Sequence, residues 1–184
     1  AALAFSEYAT ATLRAAHAAL AASQAELSQH GGYPAMQEAA LHALFARHLR
    51  LIADDGQKIA AHAMVFIDAQ GRLRASSLEA EVDGRDLSDQ EYFRHHLLDP
   101  SPTVWLSPLH LSQVSGLKVF VLSQRLTDAA GRFQGVLAIS LRIAHLEAYF
   151  DRLGLSPGQT ISLFRQDGKP LFRYPMVEGF ERSD

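Results

Sequence analysis

Arg125-Leu126-Thr127-Asp128-Ala129-Ala130-Gly131-Arg132-Phe133 lies between two long apolar runs, residues 119–126 and 133–141. An aspartate opens such a turn by bonding the backbone two residues on, and a glycine supplies positive φ. The stretch therefore predicts a hairpin of two antiparallel strands. The same unit occurs twice more, as Met64-Val65-Phe66-Ile67-Asp68-Ala69-Gln70-Gly71-Arg72-Leu73 and as Ser162-Leu163-Phe164-Arg165-Gln166-Asp167-Gly168-Lys169-Pro170-Leu171. Three hairpins argue against a parallel α/β sheet. No glycine-rich loop joins a strand to a helix, so a Rossmann or P-loop site is excluded as well.

Between the first two hairpins, Ser88-Asp89-Gln90-Glu91 has the spacing of a capping box, with Ser88 as N-cap, and predicts a helix to about Leu98, before Pro100 and Pro102. Residues 103–106 then form an edge-like strand. Residues 142–153 form a last helix with Leu146, Tyr149, Phe150 and Leu153 on one face and Gly154 at its C-cap. Upstream, residues 1–54 are alanine-rich and carry only Glu7, Arg14 and Glu26 as charges before Gly31, a composition that favours helix. Leu13, Leu20 and Leu27 recur every seven residues with polar Thr10, His17 and Gln24 between them, which writes half of a coiled-coil seam and motivates a homodimer through this helix. After the break at Gly31-Gly32-Tyr33-Pro34, Leu41, Leu44, Phe45, His48, Leu49 and Ile52 make a broad stripe for a second helix that Asp54-Asp55-Gly56 ends. The expected fold is α+β: a long N-terminal helix, a PAS-like antiparallel sheet of five strands with helices on one side, and the start of a second, smaller PAS-like module.

Composition narrows the function. In 184 residues there are 17 basic and 20 acidic side chains, a balance of −3 that does not suit binding to nucleic acid through a basic face. There is no cysteine, hence no disulfide and no thiolate chemistry. No apolar stretch reaches the length of a membrane span and no signal peptide opens the chain, so it reads as an internal fragment or a trimmed chain. None of the nine histidines shows metal-ligand spacing on a helix, and neither a nucleophile elbow nor a distinct pair of carboxylates is present. No cofactor and no catalytic residue are expected.

The run 86–94 (Asp-Leu-Ser-Asp-Gln-Glu-Tyr-Phe-Arg), then Val114-Ser115-Gly116, then 122–128 (Leu-Ser-Gln-Arg-Leu-Thr-Asp) with Gly131, then Gly135-Val136-Leu137-Ala138, resembles the double-Cache (PDC) sensor domains, over about residues 1–178. These are extracytoplasmic parts of bacterial membrane-bound diguanylate cyclases, histidine kinases and chemoreceptors. The resemblance implies three regions: residues 1–56 as a helical stalk and dimerisation segment, 57–154 as a membrane-distal ligand-sensing module, and 155–184 as the beginning of a membrane-proximal module. It implies a periplasmic location, membrane attachment through flanking helices, and a non-catalytic role in which a small molecule, such as an amino acid or organic acid, regulates a cytoplasmic output domain.

The pocket implied by the resemblance is lined by Tyr92 and Phe93 on the capped helix, Trp105 on the next strand, and Ser123 and Arg125 on the central strand. Arg125 has the bidentate geometry a carboxylate needs, and Tyr92 offers a hydroxyl beside aromatic walls. Sharing a strand face with Val119, Val121 and Ser123, Arg125 is either a pocket residue or the end of a strand reaching solvent. Where amino-acid-binding members have a basic residue two positions before the helix aromatic, this chain has Gln90, which can hydrogen-bond but brings no charge. That difference keeps open the alternative of a ligandless domain serving dimerisation and spacing.

Overall fold

The structure is a computed structural model that describes residues 2–53, 60–154, 156, 158–165 and 167–175. In chain order the elements are α1 (Ala2–Gln29), a 3₁₀ turn (Tyr33–Ala35), α2 (Glu38–Ala53), β1 (Ala61–Asp68), β2 (Leu73–Ser76), α3 (Glu91–Leu98), β3 (Trp105–Leu106), β4 (His110–Leu111), β5 (Lys118–Thr127), β6 (Phe133–Arg142), α4 (Ile143–Leu153), β7 (Ile161–Phe164) and β8 (Pro170–Tyr174). The main sheet is antiparallel throughout, in the order β2-β1-β6-β5-β3, with two-residue β4 pairing farther along β5. β7 and β8 form a separate hairpin. The α+β class stands, and β4 adds a sixth strand to the expected five. The proposed terminator Asp54-Asp55-Gly56 lies outside the described residues.

All three hairpins form, and the first two use their aspartates identically. Asp68 Oδ1 accepts from the backbone N–H of Gln70 and Arg72, and Asp128 Oδ1 from those of Ala130 and Arg132, each at 2.9 or 3.0 Å. In the third, the Gly168 N–H bonds the Arg165 carbonyl and Asp167 bonds the Lys169 N–H. The aspartate therefore sits two positions later in that turn.

Strand alternation divides the core in two. Met64, Phe66, Phe120, Leu122, Leu137 and Ile139 face a layer made by α1, α2, α4 and the β8 side chains Leu171 and Phe172. Val65, Ile67, Val119, Val121, Val136 and Ala138 face Tyr92 and Phe93 of α3. Helices thus cover both faces, not one. The physical reason is that β1, β5 and β6 are apolar on both sides, and each face needs a cover.

Two further expectations are corrected. The Ser88–Glu91 capping box does not form. Helix α3 starts at Glu91 with Gln90 in the N-cap position and no side-chain cap, because the Ser88 N–H is bound by Asp86 in a local turn. The leucine edge of α1 is not a free seam: Leu20 and Leu27 are buried and Leu13 half-buried in the protein's own core. Its seven-residue spacing serves packing on α2 and the sheet, so the leucines lend no support to a dimer. Among the described residues no helix is long and apolar enough to cross a membrane.

Candidate functional site

Helix α3 turns Tyr92, Phe93 and His96 onto the sheet and leaves Arg94, Leu97 and Leu98 exposed. β5 brings Ser123 and Arg125 to the same seam, on the face shared with Val119 and Val121. Pairing of Trp105 with Ser123 sets β3 along its edge.

At the centre, His96 Nε2 lies 3.0 Å from Ser123 Oγ, and both residues are fully buried. Ser123 donates its proton to the Trp105 carbonyl at 3.2 Å. The imidazole must then donate through Nε2, which leaves Nδ1 as an acceptor, and that atom is buried with no partner among the described residues. Burial, then the neighbouring His95 charge, pushes the His96 pKa down to about 4. Arg125 donates to the His96 carbonyl and stacks 4.5 Å above the Phe133 ring, which meets Phe93 edge-on at 5.9 Å. The guanidinium thereby engages a carbonyl of the last turn of α3, where a cation suits the helix dipole. Its Nε is also buried without a partner among the described residues.

Trp105 is half-buried, with its ring stacked on His95 at 4.9 Å and the Arg165 guanidinium 5.1 Å from its centroid. Tyr92 is buried with its ring 6.0 Å from that of His110, and burial, with Asp89 nearby, raises its phenol pKa. Gln90 stands at the start of α3, where its amide donates to Asp89. Five of the six residues named from sequence therefore meet along the α3–β5 seam, and Gln90 stands at the N-cap of α3. The seam is closed, since Phe93, His96 and Ser123 are at most 1% exposed. Arg125 pairs with neither Asp128 nor Glu79; Asp128 is taken by Arg132. His96 is the residue that sequence reasoning missed. The available signal was its position four residues after Tyr92, which puts both on one helix face.

On the opposite face of the sheet a cavity of about 800 Å³ opens between α1, the β3–β5 edge, α4 and the β7–β8 hairpin. His95 and Trp105 line its rim and so touch both regions. Among the described residues no group of three or more histidines and carboxylates is arranged to hold a metal ion.

No family model matches the sequence, and no curated protein matches it either. Solved structures do. The extracellular domain of rpHK1S-Z16, assigned as a histidine kinase, superposes with a TM-score of 0.66 at 27% identity, over 95% of this chain and 73% of that one. The chain carries a Cache-type sensor fold. At lower identity the same Cache-type architecture matches the Pseudomonas aeruginosa PAO1 amino-acid chemoreceptor PctC in complex with GABA, with a TM-score of 0.57 at 16% identity over 91% of this chain and 69% of that one. The Campylobacter jejuni chemoreceptor Tlp3 in complex with 4-methylisoleucine matches with a TM-score of 0.53 at 15% identity over 89% and 69%. These two establish the fold alone. The sensor-domain and extracytoplasmic readings of the sequence stand on the Cache-type match.

Proposed function

We propose that this chain is a non-catalytic sensor module of a membrane-bound signalling protein, which takes a small molecule at the α3–β5 seam and relays its presence to a cytoplasmic output domain. The observation that carries the reading is a polar knot inside an apolar seam. His96 Nδ1 and Arg125 Nε are both buried without partners among the described residues. A buried polar atom left unsatisfied costs about 1–3 kcal/mol, a cost that a ligand with both an acceptor and a donor removes. Arg125 supplies the cation for a carboxylate when it exchanges the His96 carbonyl for the ligand, while Tyr92, Phe93 and Trp105 exclude water. The amino-acid ligands of the PctC and Tlp3 complexes favour a small amino acid or organic acid. Gln90, at the N-cap of α3, brings no charge, which puts the electrostatic work on Arg125.

The relay has a physical path. Gln124 lies between Ser123 and Arg125 but faces the other side of the sheet, where its amide donates to Gln24 of α1 at 2.7 Å. A shift of β5 at the seam is passed to α1 through that bond, and the signal is bounded by the ligand's differential affinity for the two arrangements. The division into residues 1–56, 57–154 and 155–184 is functional: a signalling helical layer, the sensing module and the start of a second module. A homodimer through α1 would use its exposed face, which carries Glu7 and Arg14.

A thermal-shift and calorimetric screen of amino acids, organic acids, polyamines and purines tests the reading. A specific stabilisation lost in both Arg125→Ala and Tyr92→Ala is the expected outcome. No hit from the panel favours the second reading, a ligandless spacer domain, which the closed packing of the seam supports.

A further inference from the structure

We infer that the 800 Å³ cavity between α1 and the β7–β8 hairpin is a separate binding site for a monocarboxylate with an apolar chain. It lies on the opposite face of the sheet from the seam and does not depend on the seam's being a ligand site.

The volume is within the 300–1,000 Å³ of small-molecule pockets. The floor is apolar, built by Leu122, Leu141 and Leu146 among others, and would bury a hydrocarbon chain. The rim has a sign. Its fixed charges are Arg14, Arg165 and Asp167, a balance of +1, and the imidazoles of His17 and His95 can only add positive charge. Asp167 occupies the Nε and Nη2 edge of Arg165, at 3.0 and 2.6 Å. The remaining nitrogen, Nη1, is buried with no partner among the described residues, on a side chain only 17% exposed. Guanidinium nitrogens donate and never accept, so what completes this site is an acceptor, and a carboxylate does so with a complementary charge. With its head on Arg165 and near Arg14, the chain of the acid runs inward over the leucines. Neither a cation nor a wholly apolar molecule satisfies both halves.

Trp105 is the single tryptophan and lies against Arg165 at the rim, so its emission reports occupancy. The test titrates the protein with decanoate, below its micellar concentration, and follows Trp105 fluorescence and heat. Saturable one-site binding is expected, at least tenfold tighter than for decanol. Arg165→Gln should weaken it at least tenfold. Ala9→Phe, which fills the cavity from α1, should abolish it, and Arg14→Gln, at an exposed position, should weaken it without touching the core. Absence of saturable binding overturns the site. So does a dissociation constant that is the same in all three variants, which would mean adsorption to the surface. The amino-acid screen of the seam is read independently, so the two readings fail separately.

Discussion

His96 Nε2 meets Ser123 Oγ at 3.0 Å across the contact between α3 and β5, and this polar bond is enclosed by Phe93, Val121 and the other apolar side chains of the seam. The bond uses the Nε2 proton, which the neutral and the charged ring both carry, and it is burial that favours the neutral imidazole. With the hydroxyl proton directed to the Trp105 carbonyl, only one tautomer fits, and a second ring proton would have no acceptor among the described residues.

Stability should therefore fall as the solution is acidified. The folded pKa of about 4 lies below the unfolded value near 6.5, so the unfolded chain binds more protons between the two. Stability is complete above pH 6.5 and is lost progressively towards pH 4, by about 3 kcal/mol over the whole interval. Burial depresses His48 and His62 in the same direction, so they add to the slope. The lowered carboxyls Glu26 and Asp128 lose their contribution only at lower pH. Thermal unfolding at pH 7.5, 6.5 and 5.5 should show the decline, with a shallower slope in His96→Gln. An imidazole resonance of His96 that titrates near pH 6.5 would contradict the assignment.

Gly135 should be intolerant of any side chain. Its φ is 140°, and an added Cβ would meet the Ile67 carbonyl oxygen at 2.0 Å, where β6 crosses β1. Backbone contacts of that kind are not relieved by rotating a side chain. Gly131, in the neighbouring turn at φ 78°, has open space around it and pays only for its conformation. Gly131→Ala is expected to cost about 1 kcal/mol, while Gly135→Ala should cost more than about 3 kcal/mol or prevent folding. Denaturant melts of the two variants compare them directly, and equal losses would refute the steric account.

The sheet was legible because its signals are local. Asp128 and Gly131, like Asp68 and Gly71, sit next to the strands they connect, and their pattern needs no tertiary information. The seam was legible only by residue type. Tyr92, Phe93, Trp105, Ser123 and Arg125 do converge, yet the bond that organises them joins residues 27 positions apart, and no spacing rule announces it. The leucines of α1 misled for the opposite reason. A heptad edge looks the same whether it faces a second copy or the protein's own sheet, and what decides is the stripe Leu41, Leu44 and Phe45 on α2 and the apolar face of β5 and β6, which compete for it inside the chain. The Ser88 cap failed to a closer competitor, the Asp86 carboxylate.

That reassignment of the leucines can be measured. Leu20 is fully buried, so Leu20→Ala should destabilise by about 3 kcal/mol, or roughly 6–12 °C in melting temperature. Leu51 on α2, 64% exposed, should lose no more than about 0.5 kcal/mol on the same substitution. Sedimentation should give the same mass for the parent and Leu20→Ala below their melting temperatures. A change in association state without loss of stability would return the leucine edge to an interface between copies.

Arg125 is the residue at which architecture and proposed ligand chemistry overlap, so its variants must be read in two ways. Its guanidinium holds the His96 carbonyl and covers the face of Phe133. Arg125→Ala should therefore destabilise the unliganded protein by about 1–3 kcal/mol, since it exposes a buried carbonyl and removes a cation–π contact. Arg125→Lys keeps the charge, but an ammonium cannot lie flat on the ring while reaching the carbonyl, so it should recover less than half of that loss. Phe133→Leu removes the stacking surface under Arg125 together with the edge-on contact to Phe93. The Phe93 part is lost in either background, so the substitution should cost about 1 kcal/mol more in the parent than in Arg125→Ala. A double-mutant cycle from urea melts gives that coupling directly. Zero coupling would mean that Arg125 is held only by the helix carbonyl and is free to swing from Phe133 without cost.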